Sequence, residues 1–118
     1  MKILVNKMKK FIILSILMNG CCAYAMSNSD FLRLSSNNSS ANNKLLATVY
    51  VHGVTMGYMV SGVVGKDRNI CFPSNMSIDE FNYVNLIKGE MEFDNSVDGD
   101  FPAAVTLYRA FKRKFPCK

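Results

Sequence analysis

Three groups of side chains in this sequence could in principle do chemistry. Five carboxylates gather at Glu90, Glu92, Asp94, Asp98 and Asp100; His52 is the single histidine; and cysteines stand at 21, 22, 71 and 117. Two opposed carboxylates can act as general acid and base, but carboxylates clustered on a polar stretch more commonly form a solvated face. His52 lies in the middle of an apolar segment, where a lone imidazole is more often packed than basic. No Gly-rich phosphate loop follows a strand pattern, and no His/Cys/Asp spacing matches a metal site. The expectation is therefore no catalytic residue, no metal and no cofactor, and an enzyme is the least favoured class.

The cysteines lead back to the N-terminus. Lys2, Lys7, Lys9 and Lys10 precede an apolar run, Phe11 to Met18, and then small residues and Ala23-Tyr24-Ala25. A basic stretch, a short apolar block and an A-x-A site together read as a cleavable export signal over residues 1–25. Eight apolar residues are too few to span a bilayer as a helix, which takes about 20, so no integral membrane segment is expected after cleavage. Gly20-Cys21 offers a lipidation junction as the less favoured alternative. Met18 and Asn19 stand where such junctions usually carry Leu and a small residue.

Cleavage changes both the charge and the cysteine arithmetic. The whole chain has 14 basic and 9 acidic residues. Four lysines leave with the signal, so the mature chain carries ten basic against nine acidic residues, a net charge of +1. The broad positive field that nucleic-acid binding needs is then gone, and no nucleic-acid partner is expected. Cys21 and Cys22 leave as well. Cys71 and Cys117 remain, and in an exported domain they are expected to form a disulfide. Closing that loop stabilises a domain of this size by about 4 kcal/mol on the chain-entropy account.

The elements that would position these groups follow from spacing. Ser29-Asp30-Phe31-Leu32-Arg33-Leu34 fits a short helix capped by Ser29, inside a polar segment over 26–43 that ends in an Asn/Ser-rich loop. The main domain then runs over 44–118. Its first part, 44–65, is ambiguous. Thr48-Val49-Tyr50-Val51 and Tyr58-Met59-Val60 favour strand, whereas Leu46, Tyr50, Gly53, Gly57, Val60 and Val64 recur at helical spacing. Gly53, Gly57, Ser61 and Gly65 also form a small-residue stripe that would admit a second helix. Ser77-Ile78-Asp79-Glu80 reads as a capping box with Met76 and Phe81 as its apolar staple, which predicts a helix over 77–92 with Ile78, Phe81, Val84, Ile87 and Met91 on one face. A polar loop, 93–100, follows. Pro102 suits a first helical turn, and Ala104, Leu107, Tyr108, Phe111 and Phe115 make the stripe of a last helix whose basic end suits its dipole. The fold expected is all-α: a small disulfide-stapled bundle of about four helices.

Several segments resemble a known family when taken in order: Tyr50-Val51-His52-Gly53-Val54, Cys71-Phe72-Pro73, Ser77-Ile78-Asp79-Glu80-Phe81, Phe101-Pro102-Ala103-Ala104 and Phe115-Pro116-Cys117. Together they resemble the Rap/Tai family of immunity proteins, which protect bacteria against peptidoglycan amidase effectors of type VI secretion. The similarity covers roughly 48–117. Thr48 and Val49 stand where the family often has Cys and Gly, and the aspartate often found after Gly-Val is absent, with Met56 in its neighbourhood. The resemblance implies an all-helical domain, which favours helix over 44–65. It also implies a periplasmic protein, commonly a homodimer, whose partner is a cognate amidase effector. In such pairs the loop between the third and fourth helices enters the enzyme's groove. Here that loop is about 92–101, and the toxin-binding residues implied are Asp94, Asn95, Ser96, Asp98 and Asp100. A small periplasmic chaperone of the acid-stress type, also helical and singly disulfide-bonded, is the competing expectation.

Overall fold

The computed structural model describes residues 26–64 and 69–118. The export signal over 1–25, with its alternative at Cys21, and the stripe's last member, Gly65, lie outside the described residues. The described residues form four α-helices: α1 (Asn28–Ser35), α2 (Ala41–Val64), α3 (Tyr83–Phe93) and α4 (Ala103–Lys114), with a 3-10 turn at Ile78–Glu80 ahead of α3. The all-α, disulfide-stapled architecture is as expected. Among the described residues there are no strands beyond two single antiparallel bridges, Ser27 with Pro102 and Ile70 with Pro116.

The helix α2 resolves the ambiguous segment. It runs unbroken for 24 residues through Gly53 and Gly57. Ala47, Val51 and Thr55 face inward and are almost wholly buried, an i, i+4, i+8 series along one face of the helix. Thr55 satisfies its own buried hydroxyl by donating to the Val51 carbonyl at 2.7 Å. The helix begins at Ala41, so residues 41–43, read from sequence as part of a separate polar segment, are its first turn. Phe31 and Leu34 of α1 lie in the same core as Val51, Ile87, Leu107 and Phe111. The polar N-terminal segment is therefore an integral layer, with α1 packed chiefly on α2 and α3 chiefly on α4.

Two helix starts differ from the sequence reading, each for a visible reason. Ser27, not Ser29, caps α1, accepting from the Asp30 amide at 3.1 Å. The amides of Asn28 and Ser29 belong to the first turn, where helix donors have no partner of their own. They donate instead to Phe101 and Gly99 carbonyls across the molecule. The Ser77 box makes only the three-residue 3-10 turn, with the Ser77 hydroxyl accepting from Asp79 rather than Glu80. The chain is then extended at Phe81, and Asn82 caps the true α3 by accepting from Asn85 at 3.1 Å. The extended step puts Phe81 and Tyr83, two residues apart, on the same side. Both join an aromatic cluster with Phe72, Phe111 and Phe115, in which the Phe81–Phe111 and Phe72–Phe111 centroids are 5.0 and 5.1 Å apart. Several edge-to-face pairs at about 0.5–1.5 kcal/mol each outweigh one more turn of helix. The buried face of α3 is consequently Tyr83, Ile87 and Glu90, with Ile78, Val84 and Met91 only half-buried. Pro102 similarly stands just before α4 as its cap residue rather than in its first turn.

The Cys71–Cys117 disulfide is formed, with the Cα atoms 5.0 Å apart. Beside it, the Cys71 amide donates to the Phe115 carbonyl at 2.8 Å. The staple thus ties the segment carrying Phe72 to the end of α4, next to the aromatic cluster. Among the described residues, no helix is long and apolar enough to cross a membrane.

Candidate functional site

The loop joining α3 to α4, Asp94 to Pro102, is bonded within itself before anything else touches it. One Asp94 carboxylate oxygen accepts from both the amide and the hydroxyl of Ser96, at 2.9 and 2.7 Å. The Asp98 carboxylate accepts from the Asp100 amide at 3.1 Å. These are side-chain turns of the kind Asp supports at loop positions. Backbone bonds from Val97 to Asp94 and from Phe101 to Asp98 close the same two turns. Val97, between them, points inward and is 1 % exposed, so one apolar side chain pegs the middle of an otherwise polar loop into the core.

A second set of bonds clamps the loop to the N-terminal strap, Met26 to Ser29. Asn28 and Ser29 amides donate to Phe101 and Gly99 carbonyls at 3.0 and 2.9 Å, and the Ala103 amide donates to the Met26 carbonyl at 2.9 Å. The Asn28 side chain is fully buried, and its Nδ2 donates to the Asp98 carbonyl at 2.9 Å. Its Oδ1 has no partner among the described residues. A Cβ at Gly99 would meet the Ser29 hydroxyl, which would have to rotate away.

The third brace comes from α4. Arg109 and Arg113, one turn apart, each meet a carboxylate and an aromatic ring. Arg109 pairs with Asp94 at 3.1 Å and lies 5.2 Å from the Phe101 ring centroid, so it holds both ends of the loop. Arg113 pairs with Glu90, whose side chain is 5 % exposed, and stacks 3.6 Å over the Phe93 ring. A guanidinium over a ring face is attracted by the ring quadrupole, by about 0.5–1 kcal/mol at exposed sites. The bonds from Ser96, chiefly from its hydroxyl and then its amide, hold the Asp94 carboxyl below the usual carboxylate range, and Arg109 adds to this.

The structure thus divides the five residues singled out from sequence. Asp94 is a half-buried internal brace. Asp98 is shared, with one carboxylate oxygen in the loop's own turn and its carbonyl under Asn28. Asn95, Ser96 and Asp100 are exposed on the loop's outer side. Sequence reasoning missed Asn28, Glu90, Phe93, Arg109 and Arg113 as parts of this site. Arg109 and Arg113 carried a faint signal, their four-residue spacing on one helix, but their partners lie on other elements. Phe93 gave none, since the residue closing a helix is as often buried as exposed.

His52 is half-buried, with Nε2 3.6 Å from an Asp79 carboxylate oxygen and its ring tilted against Tyr83 at 5.7 Å. It packs between α2 and the segment before α3. Tyr83 in turn donates to the Ile78 carbonyl at 2.8 Å, and burial pushes its phenol pKa up. Among the described residues, no cluster of three or more His, Cys, Asp or Glu could hold a metal ion.

The outer face of α2 is built quite differently. Leu45, Leu46, Val49, Met56 and Val60 are each more than half exposed, and Gly53 and Gly57 lie open among them, with nothing near the place of a Cβ. The small-residue stripe therefore admits no helix of this chain among the described residues.

Fold and site together define a class: a small all-α, disulfide-linked domain that presents one braced polar loop and one uncovered apolar helix face. No family model matches the chain, and neither the curated proteins nor the solved structures hold a match to it.

Proposed function

We propose that this chain is a periplasmic immunity protein of the Rap/Tai type, one that binds and blocks a cognate peptidoglycan amidase effector of type VI secretion. The observation that carries the reading is the loop from Asp94 to Pro102, polar outside and fixed from three directions. A loop that must enter a narrow groove binds best when its shape is already set, because little conformational entropy is then lost on docking. Asp94, Asp98, Asn28 and Arg109 set that shape. Asn95 and Asp100 carry the amide and carboxylate left to face a Cys/His catalytic centre, beside the Ser96 oxygen, whose hydroxyl hydrogen is engaged by Asp94, while the flanking helices shut out water and peptide.

The basic start, apolar block and A-x-A site of the sequence, with the Cys71–Cys117 disulfide, support an oxidising compartment outside the inner membrane. The bare face of α2 supports the homodimer. Contiguous exposed apolar surface of this kind marks an interaction site, and the strip carries no charge between Lys44 and His52 or beyond it to Ser61. The same strip also favours the second reading, a small acid-stress-type chaperone, because an uncovered apolar face can hold an unfolded client.

Co-expression tests the proposal. A periplasm-directed Cys/His amidase, taken first from the neighbouring reading frame, lyses cells, and this protein rescues them only when its own signal is intact. Replacing Asn95, Ser96 and Asp100 together by Ala leaves the Asp94 and Asp98 backbone turns in place and abolishes rescue. Full rescue by the triple variant removes the loop from the mechanism. Binding of many unrelated unfolded clients at acid pH, without rescue from any amidase, selects the chaperone.

A further inference from the structure

The most exposed aromatic ring next to the loop is Phe93, the last residue of α3, which leaves 72 % of its surface in water. Burying a Phe is worth roughly 1.5–3 kcal/mol, so leaving one this bare forgoes stability. The ring is also not loose. Arg113 lies flat over one face at 3.6 Å, and Arg113 is itself held by Glu90, a carboxylate withdrawn from solvent beneath it. A buried carboxylate thus holds the guanidinium that fixes an exposed ring in one orientation. The ring also borders a shallow pocket formed with Asp94, Arg109 and Lys112, and Asp94 is the first residue of the loop.

We propose that Phe93 is the anchor of the partner-binding surface, inserting into an apolar slot at the rim of the amidase's groove while the loop enters the groove itself. This rests on the immunity reading given above. Aromatic residues and arginine are enriched at protein interfaces, and binding energy there concentrates on a few well-packed anchors. Charge fixes what surrounds the slot. Arg109 is neutralised by Asp94 and Arg113 by Glu90. Lys112, on the same rim, has no ion-pair partner within 4 Å among the described residues. The slot that fits is therefore apolar at its centre and carries a carboxylate at the edge facing Lys112. This also gives the surface a division of labour: the loop meets the catalytic centre, whereas Phe93 and Lys112 meet the rim.

The test measures binding of the oxidised mature protein to amidases whose nucleophile is replaced by alanine, beginning with the product of the neighbouring frame. Phe93→Ala weakens binding by about 100-fold, the scale of an interface hot spot. Phe93→Tyr stays within about fivefold of wild type, because ring and stacking survive. Lys112→Glu weakens binding by about tenfold and reverses its dependence on salt. All three keep the wild-type unfolding midpoint, since neither side chain is buried. If Phe93→Ala binds within threefold of wild type while the Asn95/Ser96/Asp100 variant loses binding, the anchor is overturned and the immunity reading stands. Should wild type bind none of the amidases, both fall together. Should Phe93→Ala lower the midpoint, Phe93→Leu, which keeps apolar bulk but loses the stack, decides: weakened binding upholds the anchor, and unchanged binding overturns it.

Discussion

The two ends of accessible surface in this molecule have opposite chemistry. At the α3–α4 loop the Asp94 and Asp98 carboxylates and the turn amides have named partners, and the one apolar residue in its middle, Val97, is buried. Along the outer face of α2 the apolar groups are bare and have no partner among the described residues. The loop is polar yet stiff; the helix face is regular yet incomplete. The contrast separates two kinds of surface that exposure alone would confuse. One is finished by bonds within the chain itself. The other is finished only when something covers it.

The contrast can be broken most forcefully from inside the loop. Val97→Asp puts an unpaired carboxylate where no water reaches, and is expected to cost at least about 4 kcal/mol and to lower the unfolding midpoint accordingly. Asn28→Asp comes next. Its carboxylate cannot donate to the Asp98 carbonyl and stands buried without a cation, at a cost of about 3 kcal/mol at neutral pH. Asn28→Ala, which leaves only the Asp98 carbonyl short of a donor, costs about 1 kcal/mol. Denaturant titration with amide exchange at Val97 to Phe101 checks both, and equal exchange in wild type and variants would show that the strap does not hold the loop.

Acid gives a gentler test of the same region. The folded Asp94 carboxyl is held below its ordinary value by Ser96 and then Arg109, so its contribution to folding is present above the unfolded value of about 3.9. It is lost as pH falls through the lower folded value. Asp30, lowered by Ser27 and Arg33 at the head of α1, behaves alike. The Ser96 amide resonance should titrate with a midpoint below 3.9, and Asp94→Asn should abolish that step. On the other face the smallest effect on stability is expected. Val49→Lys with Val60→Lys changes the folding free energy by no more than about 0.5 kcal/mol, yet reduces the protein to a monomer by light scattering. A wild-type protein already monomeric at high concentration would leave the α2 face without its proposed second copy.

Much of the helical frame was legible because local pattern and burial agree there. Leu107 and Phe111 of α4 lie four apart and are both fully buried, and Cys71 and Cys117 allowed a single pairing. The failures share a cause, which is contact between distant parts of the chain. Ser77 through Glu80 carry the local signature of a helix start, but the packing of Phe81 on Phe72 and Phe111, with Tyr83 against Phe81, goes with a turn that ends after three residues. Ser29 looks like a cap because nothing near it reveals that its amide goes to Gly99, 70 residues away. Of the site itself, sequence delivered the loop and its acidic character. It could not tell Asp94, which braces, from Asp100, which faces out, because that difference lies in Arg109 and Ser96 rather than in the aspartates.

The strap from Met26 to Ser29 has a practical corollary. Met26 lends its carbonyl to the first amide of α4, a few ångströms from the loop's far end. A purification handle or fluorophore fused directly ahead of Met26 would pull on the strap whose bonds hold the loop at Gly99 and Phe101. Labels belong after Lys118, on the exposed side of the disulfide.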